Sequence, residues 1–284
     1  MKIGFNLLLW TAHVQPEHWL LLEEIKRCGY DGVEIPVFEG SPAHYAELGR
    51  ELERVGLEAT GIALFPSLDM NPIGADPAQR AAGLRHMAWI LECTAAMGGR
   101  LVGGPLHSTL GHFSGEAPTR EERERGIEFH RAAGDVAGRL GVRVAIEALN
   151  RFECYFLNTM SDLAAYLDAV DHPNITGMYD TFHANIEEKD PIGAVAAIRR
   201  HLGHMHVSEN DRGTPGRGHI DFAATFEELK RSGYDGWITI EAFGRALPPL
   251  AAATRVWRDF FPTPREVYSE GYGLIRRGWD AARA

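Results

Sequence analysis

Short apolar runs recur along the chain, each preceded by an amphipathic stretch and a glycine. The clearest copies are RCGYDGVEIP at 27–36 and RSGYDGWITIEAF at 231–243. Shorter versions are RVGLEATGIAL at 54–64, AMGGRLVGG at 96–104, RLGVRVAIEAL at 139–149 and HLGHMHVSE at 201–209. A glycine suits the end of a helix because it enters the left-handed region without a Cβ clash. The β-branched and apolar residues that follow predict buried strands, covered on both faces. DHPNITGMYD at 171–180 makes the same transition through a Pro and Asn turn. With the N-terminal KIGFNLLLW, the pattern predicts eight strands, starting near residues 2, 32, 57, 99, 142, 175, 203 and 236. Helical stretches are predicted between them at 17–27, 43–54, 77–96, 121–139, 160–169, 191–200 and 222–231.

Eight strands alternating with helices predict an α/β fold, a single (β/α)8 TIM barrel spanning 1–284. Residues 250–284 form a C-terminal helical extension in this reading, with Trp257, Phe260 and Phe261 packing on the barrel or on a partner. A doubly wound sheet is the structural rival. It usually opens on a phosphate-binding glycine turn, and no G-x-G-x-x-G follows the first strand. The repeated G-Y-D-G reads as a structural turn. A length of 284 residues suits one core, since single cores grow to roughly 250–300 residues.

Charge narrows the class of partner. The chain carries 29 Lys+Arg against 39 Asp+Glu, a formal charge of -10, which disfavours a nucleic-acid partner and its usual basic face. Cys28, Cys93 and Cys154 form an odd set without metal-like spacing, so a disulfide scaffold is not expected. No uninterrupted apolar stretch is long enough for a membrane span, and no signal-peptide pattern opens the sequence. A soluble, cytoplasmic protein is expected.

In such a barrel the chemistry collects at the C-terminal ends of the strands. The fifth strand ends in Glu147, the sixth in Asp180 and the eighth in Glu241, while the seventh carries His206 near its end. Four consecutive strands thus offer one metal-competent side chain each at the same rim. A carboxylate at the end of an apolar strand is costly unless something neutralises it. Three carboxylates and an imidazole suit Mn²⁺, Mg²⁺, Co²⁺ or Zn²⁺. The bland alternative is that each residue caps a helix or pairs with an arginine. Glu153, His183 and Arg212 lie just beyond these positions, in loops that would hold a polar substrate. His204 is expected one layer deeper than His206, as a core histidine. His107 is a candidate for the pocket lining, and Glu34, at the end of the second strand, for orienting a ligand or closing the pocket.

These residues fall in stretches that resemble the ketose 3-epimerases of the D-tagatose and D-allulose (psicose) 3-epimerase type, within the xylose-isomerase-like barrels. The stretches are IEALNRFE at 146–153, NTMSD at 158–162, YDTFHANIEE at 179–188, HVSENDRGTPGRGHIDF at 206–222 and ITIEAF at 238–243. The resemblance implies a divalent metal, Mn²⁺ first with Co²⁺ or Mg²⁺ as alternatives, on Glu147, Asp180, His206 and Glu241. It makes Glu147 and Glu241 the acid/base pair. It assigns Glu153, His183 and Arg212 to the O1–O3 end of an open-chain ketose, and Trp10 to an aromatic wall. It also implies a homodimer or homotetramer. GIALFPSLDMNP at 61–72 and GGPLHSTLGHFSG at 103–115 depart from the family pattern and leave the far end of the sugar open.

The implied reaction is inversion at C3 of a free 2-ketose through a metal-stabilised cis-enediolate, with one glutamate on each face. A hydroxypyruvate or aldose–ketose isomerase would share the metal and both glutamates. A dehydratase or 3-keto-sugar epimerase is a further alternative. A superfamily endonuclease would need a three-metal cluster and a basic tract, which the sequence lacks. A non-catalytic sugar-binding barrel is the rival from a different class.

Overall fold

The computed structural model describes residues 1–283, so Ala284, the last position of the expected tail, lies outside the described residues. Eight strands close into a barrel in sequence order: β1 (Lys2–Asn6), β2 (Gly32–Pro36), β3 (Glu58–Ile62), β4 (Leu101–Gly104), β5 (Arg143–Glu147), β6 (Ile175–Asp180), β7 (Leu202–Val207) and β8 (Trp237–Ile240). Every neighbouring pair is parallel, and β1 closes on β8 with Ile3 opposite Ile238 and Phe5 opposite Ile240. The strands start within two residues of the predicted positions. Register sets the functional rim: Asp180 stands opposite His206, and His206 opposite Thr239.

The helices are α1 (Trp19–Cys28), α2 (Pro42–Val55), α3 (Pro77–Ala96), α4 (Arg120–Leu140), α5 (Met160–Val170), α6 (Thr181–Glu187), α7 (Pro191–Ile198), α8 (Phe222–Arg231), α9 (Pro248–Thr254) and α10 (Pro264–Ala281). Apolar faces of the longer ones cover a core built from strand residues such as Phe5, Val33, Val144, Met205 and Ile240. Both G-Y-D-G copies are structural. Tyr30 is buried and donates to the Tyr268 carbonyl, while Asp31 accepts the Ile3 amide N–H. In the second copy Tyr234 donates to the Trp237 carbonyl and Asp235 pairs with the N-terminal ammonium.

Two expectations change. His183 is not in a loop: β6 runs directly into the two-turn helix α6, and His183 sits in its first turn. The expected C-terminal helical extension is present as two helices, α9 and α10, and α10 packs through Val267, Tyr268 and Ile275. Of the three aromatic residues expected to pack on the barrel or on a partner, Phe261 lies against the core, whereas Trp257 and Phe260 do not pack on the barrel, because the segment between α9 and α10 runs over the surface. No described helix is long and apolar enough to cross a membrane.

Candidate metal centre and active site

Four consecutive strands deliver the predicted quartet. Glu147 ends β5, Asp180 ends β6, His206 is the penultimate residue of β7 and Glu241 follows β8 directly. All four are buried, and one donor atom from each lies within 4.8 Å of all the others. His206 Nδ1 is 3.6 Å from Asp180 Oδ2 and 3.4 Å from Glu241 Oε1. The cluster shows an unmet demand: His206 Nδ1 and Glu147 Oε1 are buried without a hydrogen-bond partner. Buried polar atoms are seldom left so unless something binds them. Three carboxylates, one imidazole and two orphaned donor atoms fit a divalent cation.

Electrostatics agrees with this reading. Burial and the nearby Glu241 carboxylate push Glu147 well above the ordinary carboxylate range. Burial opposes charge on His206, yet Glu34 and Glu241 push its pKa well above the usual imidazole value. A pocket that resists its own negative charge and stabilises a positive ring is one that favours a cation. The bland alternative is partly realised at Asp180. Its Oδ1 caps α6, accepting the Phe182 N–H at 2.6 Å and the His183 N–H at 3.3 Å, and its Oδ2 meets Arg212. Burial would raise Asp180, but Arg212 and His183 hold it well below the carboxylate range.

Arg212 is the hub of the outer layer. Its backbone is left-handed (φ 64°), and its carbonyl accepts the Phe243 N–H. The guanidinium lies 3.8 Å from the Phe182 ring centroid and 4.9 Å from that of Phe243. Its Nη1 donates to Glu241 Oε2 at 2.7 Å, Ser208 Oγ at 3.0 Å and Asp180 Oδ2 at 3.2 Å. Asn150 fixes its neighbours. Its backbone N–H donates to His183 Nδ1 at 3.0 Å, and its amide donates to Glu153 Oε1 at 2.9 Å. With Nδ1 accepting, the His183 proton belongs on Nε2. That nitrogen stands 3.0 Å from Arg212 Nη2 and 3.6 Å from Glu147 Oε1. Two donors therefore converge beside a carboxylate. Burial and Arg212 lower the His183 pKa to about 3, so the ring stays neutral. Glu153 is raised, chiefly by burial.

Glu147, Glu153, His183, Arg212 and Glu241 all open onto one pocket, whose remaining wall is apolar but for Thr254 and includes Leu8, Phe38, Ile62, Leu110, Phe243 and Leu250. A family model described as a xylose isomerase-like TIM barrel matches residues 22–271. The chain is 31% identical over 265 residues to a D-psicose 3-epimerase of Ruminiclostridium cellulolyticum, covering 91% of this chain and 89% of the relative. The chain belongs to the ketose 3-epimerase family. Another member, described as a probable ketose 3-epimerase of Synechocystis, is 29% identical over 278 residues, covering 98% of this chain and 96% of that one. A crystal structure of D-allulose 3-epimerase from Methylomonas in complex with D-allulose superposes with a TM-score of 0.91 at 28% identity, covering 98% of this chain and 96% of the other.

In this ketose 3-epimerase chain, three predicted pocket residues sit elsewhere. Trp10 is not part of the pocket lining. The 3₁₀ turn at Leu7–Leu9 brings Leu8 to the pocket and leaves Trp10 on another face, 5.1 Å from the Phe5 ring and 6.2 Å from Tyr268. His107 is wholly buried behind the wall, bonded to Ser108 Oγ at 2.9 Å, with burial lowering its pKa to about 3. Glu34 does not close the pocket: it lies beneath the quartet, 2.7 Å from both His204 Nε2 and His206 Nε2. Burial would raise Glu34, but the two imidazoles hold it at about 2. Sequence reasoning missed Asn6, Asn150, Phe182 and Phe243. The only local signal was their adjacency to strand ends or to named site residues.

Proposed function

We propose that this chain inverts C3 of a free, non-phosphorylated 2-ketose such as D-tagatose, D-fructose/D-allulose or L-ribulose. One observation carries the reading: Glu147 and Glu241, from non-adjacent strands, bring carboxylate oxygens within 4.8 Å of each other around a buried space open to the pocket. Glu147, Asp180, His206 and Glu241 would hold the divalent cation, Mn²⁺ in this proposal, with Co²⁺ or Mg²⁺ as alternatives. A cation there supplies Lewis-acid stabilisation of the negative charge that develops as a carbon beside a carbonyl loses its proton.

Proton transfer falls to the two glutamates. One takes the C3 proton and the other returns a proton to the opposite face, which inversion requires and a one-face 1,2-shuttle does not. Arg212 Nη2 and His183 Nε2–H, 3.0 Å apart, are placed to donate to a substrate oxygen that accepts from both. Glu153, held by Asn150, would take a hydroxyl at the same end and keep C3 within reach of both carboxylates. The apolar wall opposite offers shape rather than hydrogen bonds.

The test is turnover of C4 to C6 ketoses in D₂O with Mn²⁺, followed by NMR. Deuterium at C3 together with the C3 epimer is expected; deuterium confined to C1 with an aldose product overturns the proposal in favour of 1,2-isomerisation. E147Q and E241Q are expected to lower kcat about 10²- to 10⁴-fold with the far-ultraviolet circular dichroism unchanged.

A further inference from the structure

Beneath the quartet lies a second buried layer, closed to the pocket, that touches two of its members. Glu34 is fully buried at the third position of β2. As a carboxylate it can only accept hydrogen bonds, and four donors meet its two oxygens. His204 Nε2 stands 2.7 Å and Thr60 Oγ1 3.3 Å from Oε1. His206 Nε2 stands 2.7 Å and Asn6 Nδ2 2.9 Å from Oε2. The Asn6 amide has a fixed sense, because its Oδ1 accepts the Leu8 N–H at 2.9 Å. Its Nδ2 is therefore free to bridge, and it reaches Glu241 Oε1 at 3.1 Å as well as Glu34.

We infer that Glu34, with Asn6, is a positioning residue that fixes the His206 tautomer and the Glu241 rotamer for metal binding. The inference rests on the metal site proposed above. With Glu34 accepting from Nε2–H, the His206 proton is committed to the far side of the ring. In the neutral ring that metal ligation requires, the Nδ1 lone pair then faces Asp180 and Glu241, and Nδ1 has no hydrogen-bond partner within the chain. A carboxylate behind a ligating imidazole also makes the ring a stronger base, and losing such a partner commonly costs about 10- to 100-fold in metal affinity.

Two rival readings fail on geometry. Glu34, His204 and His206 also bring metal-competent atoms together, which suggests a second ion. The four donors already occupy the Glu34 oxygens, and every residue of the layer is buried. The other rival is that Glu34 merely packs the barrel interior. Packing alone would treat its two histidine contacts alike, yet His204 makes no hydrogen bond to the quartet and meets it only edge-on at the His206 ring, 5.2 Å between centroids.

That asymmetry supplies the test, with Mn²⁺ affinity read by calorimetry and the Co²⁺ absorption spectrum as a second readout. E34L removes the acceptor and is expected to weaken Mn²⁺ about 10- to 100-fold and to shift the Co²⁺ bands. E34Q is close to isosteric. Its amide oxygen can still serve His206 and Asn6, while its –NH₂ meets His204, whose unpartnered Nδ1 can carry the proton instead. It is expected to fold and to weaken Mn²⁺ by less than E34L, because the acceptor has lost its charge. H204L breaks only the other branch and should keep Mn²⁺ affinity within about threefold of the original. Unchanged affinity and spectrum in E34Q and E34L overturn the inference. So does an equal loss in E34L and H204L. Failure of the unsubstituted chain to bind Mn²⁺ overturns this inference and the proposed function together, whereas binding without C3 exchange overturns only the latter.

Discussion

At the scale of single residues, the site depends on side chains that each meet several demands at once. Arg212 holds a left-handed backbone that a non-glycine residue adopts only at some cost. Its planar guanidinium is wedged between Phe182 and Phe243 while Nη1 serves three acceptors. A lysine keeps the charge but has neither the plane nor the fork. R212K is accordingly expected to lower kcat about 10²- to 10³-fold on the ketose turned over best, the range seen when one transition-state donor is lost. Steady-state kinetics at saturating Mn²⁺ would check it; kcat within threefold of the original would show that charge alone suffices. Glu147, Asp180, His206 and Glu241 were legible in the sequence because each is a metal-competent side chain at or near the end of a predicted strand, on four consecutive strands. Asn6 and Glu34 were not legible as a pair. Their function is a contact across 28 residues, and nothing within either strand marks it. Trp10 was assigned by resemblance alone; after the 3₁₀ turn at Leu7–Leu9 it sits beside Phe5 and Tyr268, while Leu8 lines the pocket.

At the scale of elements, the helix–glycine–strand unit was readable before every strand but β1 and β6, since a glycine stop and a β-branched run are both local signals. The helix α6 was not, because seven residues carry too little periodicity to register. Its start coincides with the end of β6, so Asp180 caps a helix and faces the quartet with different oxygens. Two glycines separate the cost of a left-handed backbone from that of crowding. Gly56 ends α2 with φ 82°, and an added Cβ would meet nothing closer than Lys26 Cε at 3.6 Å. G56A should destabilise by about 1–2 kcal/mol, the backbone cost alone, with kcat/KM unaltered. Gly104 ends β4 with φ 125°, and a Cβ there would lie 2.2 Å from the Ala63 carbonyl oxygen. Backbone must move to relieve that contact, and Ala63 and Pro105 both line the pocket. G104A should therefore lose more stability than G56A and lower kcat/KM as well. Urea denaturation alongside kinetics would distinguish the two; equal losses would mean that the β4 end relaxes freely.

At the scale of the whole molecule, the net charge of -10 has two separable parts. Surface acids attract any dication weakly, and at about 0.15 M salt that attraction is screened beyond roughly 8 Å. The three acids of the quartet are buried, so their demand for a cation persists in salt. A ligand that binds only the folded chain stabilises it by about 2.7 kcal/mol at a hundredfold excess over Kd. For a domain of this size that corresponds to a rise in Tm of about 4–5 °C. Calorimetry in about 0.15 M NaCl should show this rise on adding Mn²⁺ and its reversal by EDTA. E147Q decides where the effect originates. Glu147 Oε1 has no hydrogen-bond partner, and burial beside the Glu241 carboxylate already disfavours its charge, so a neutral amide suits the metal-free site without breaking a bond of the fold. Without metal, E147Q should be at least as stable as the original chain, and its Mn²⁺-dependent rise should shrink to a small fraction. A full rise in E147Q would place the stabilising ion on the acidic surface instead.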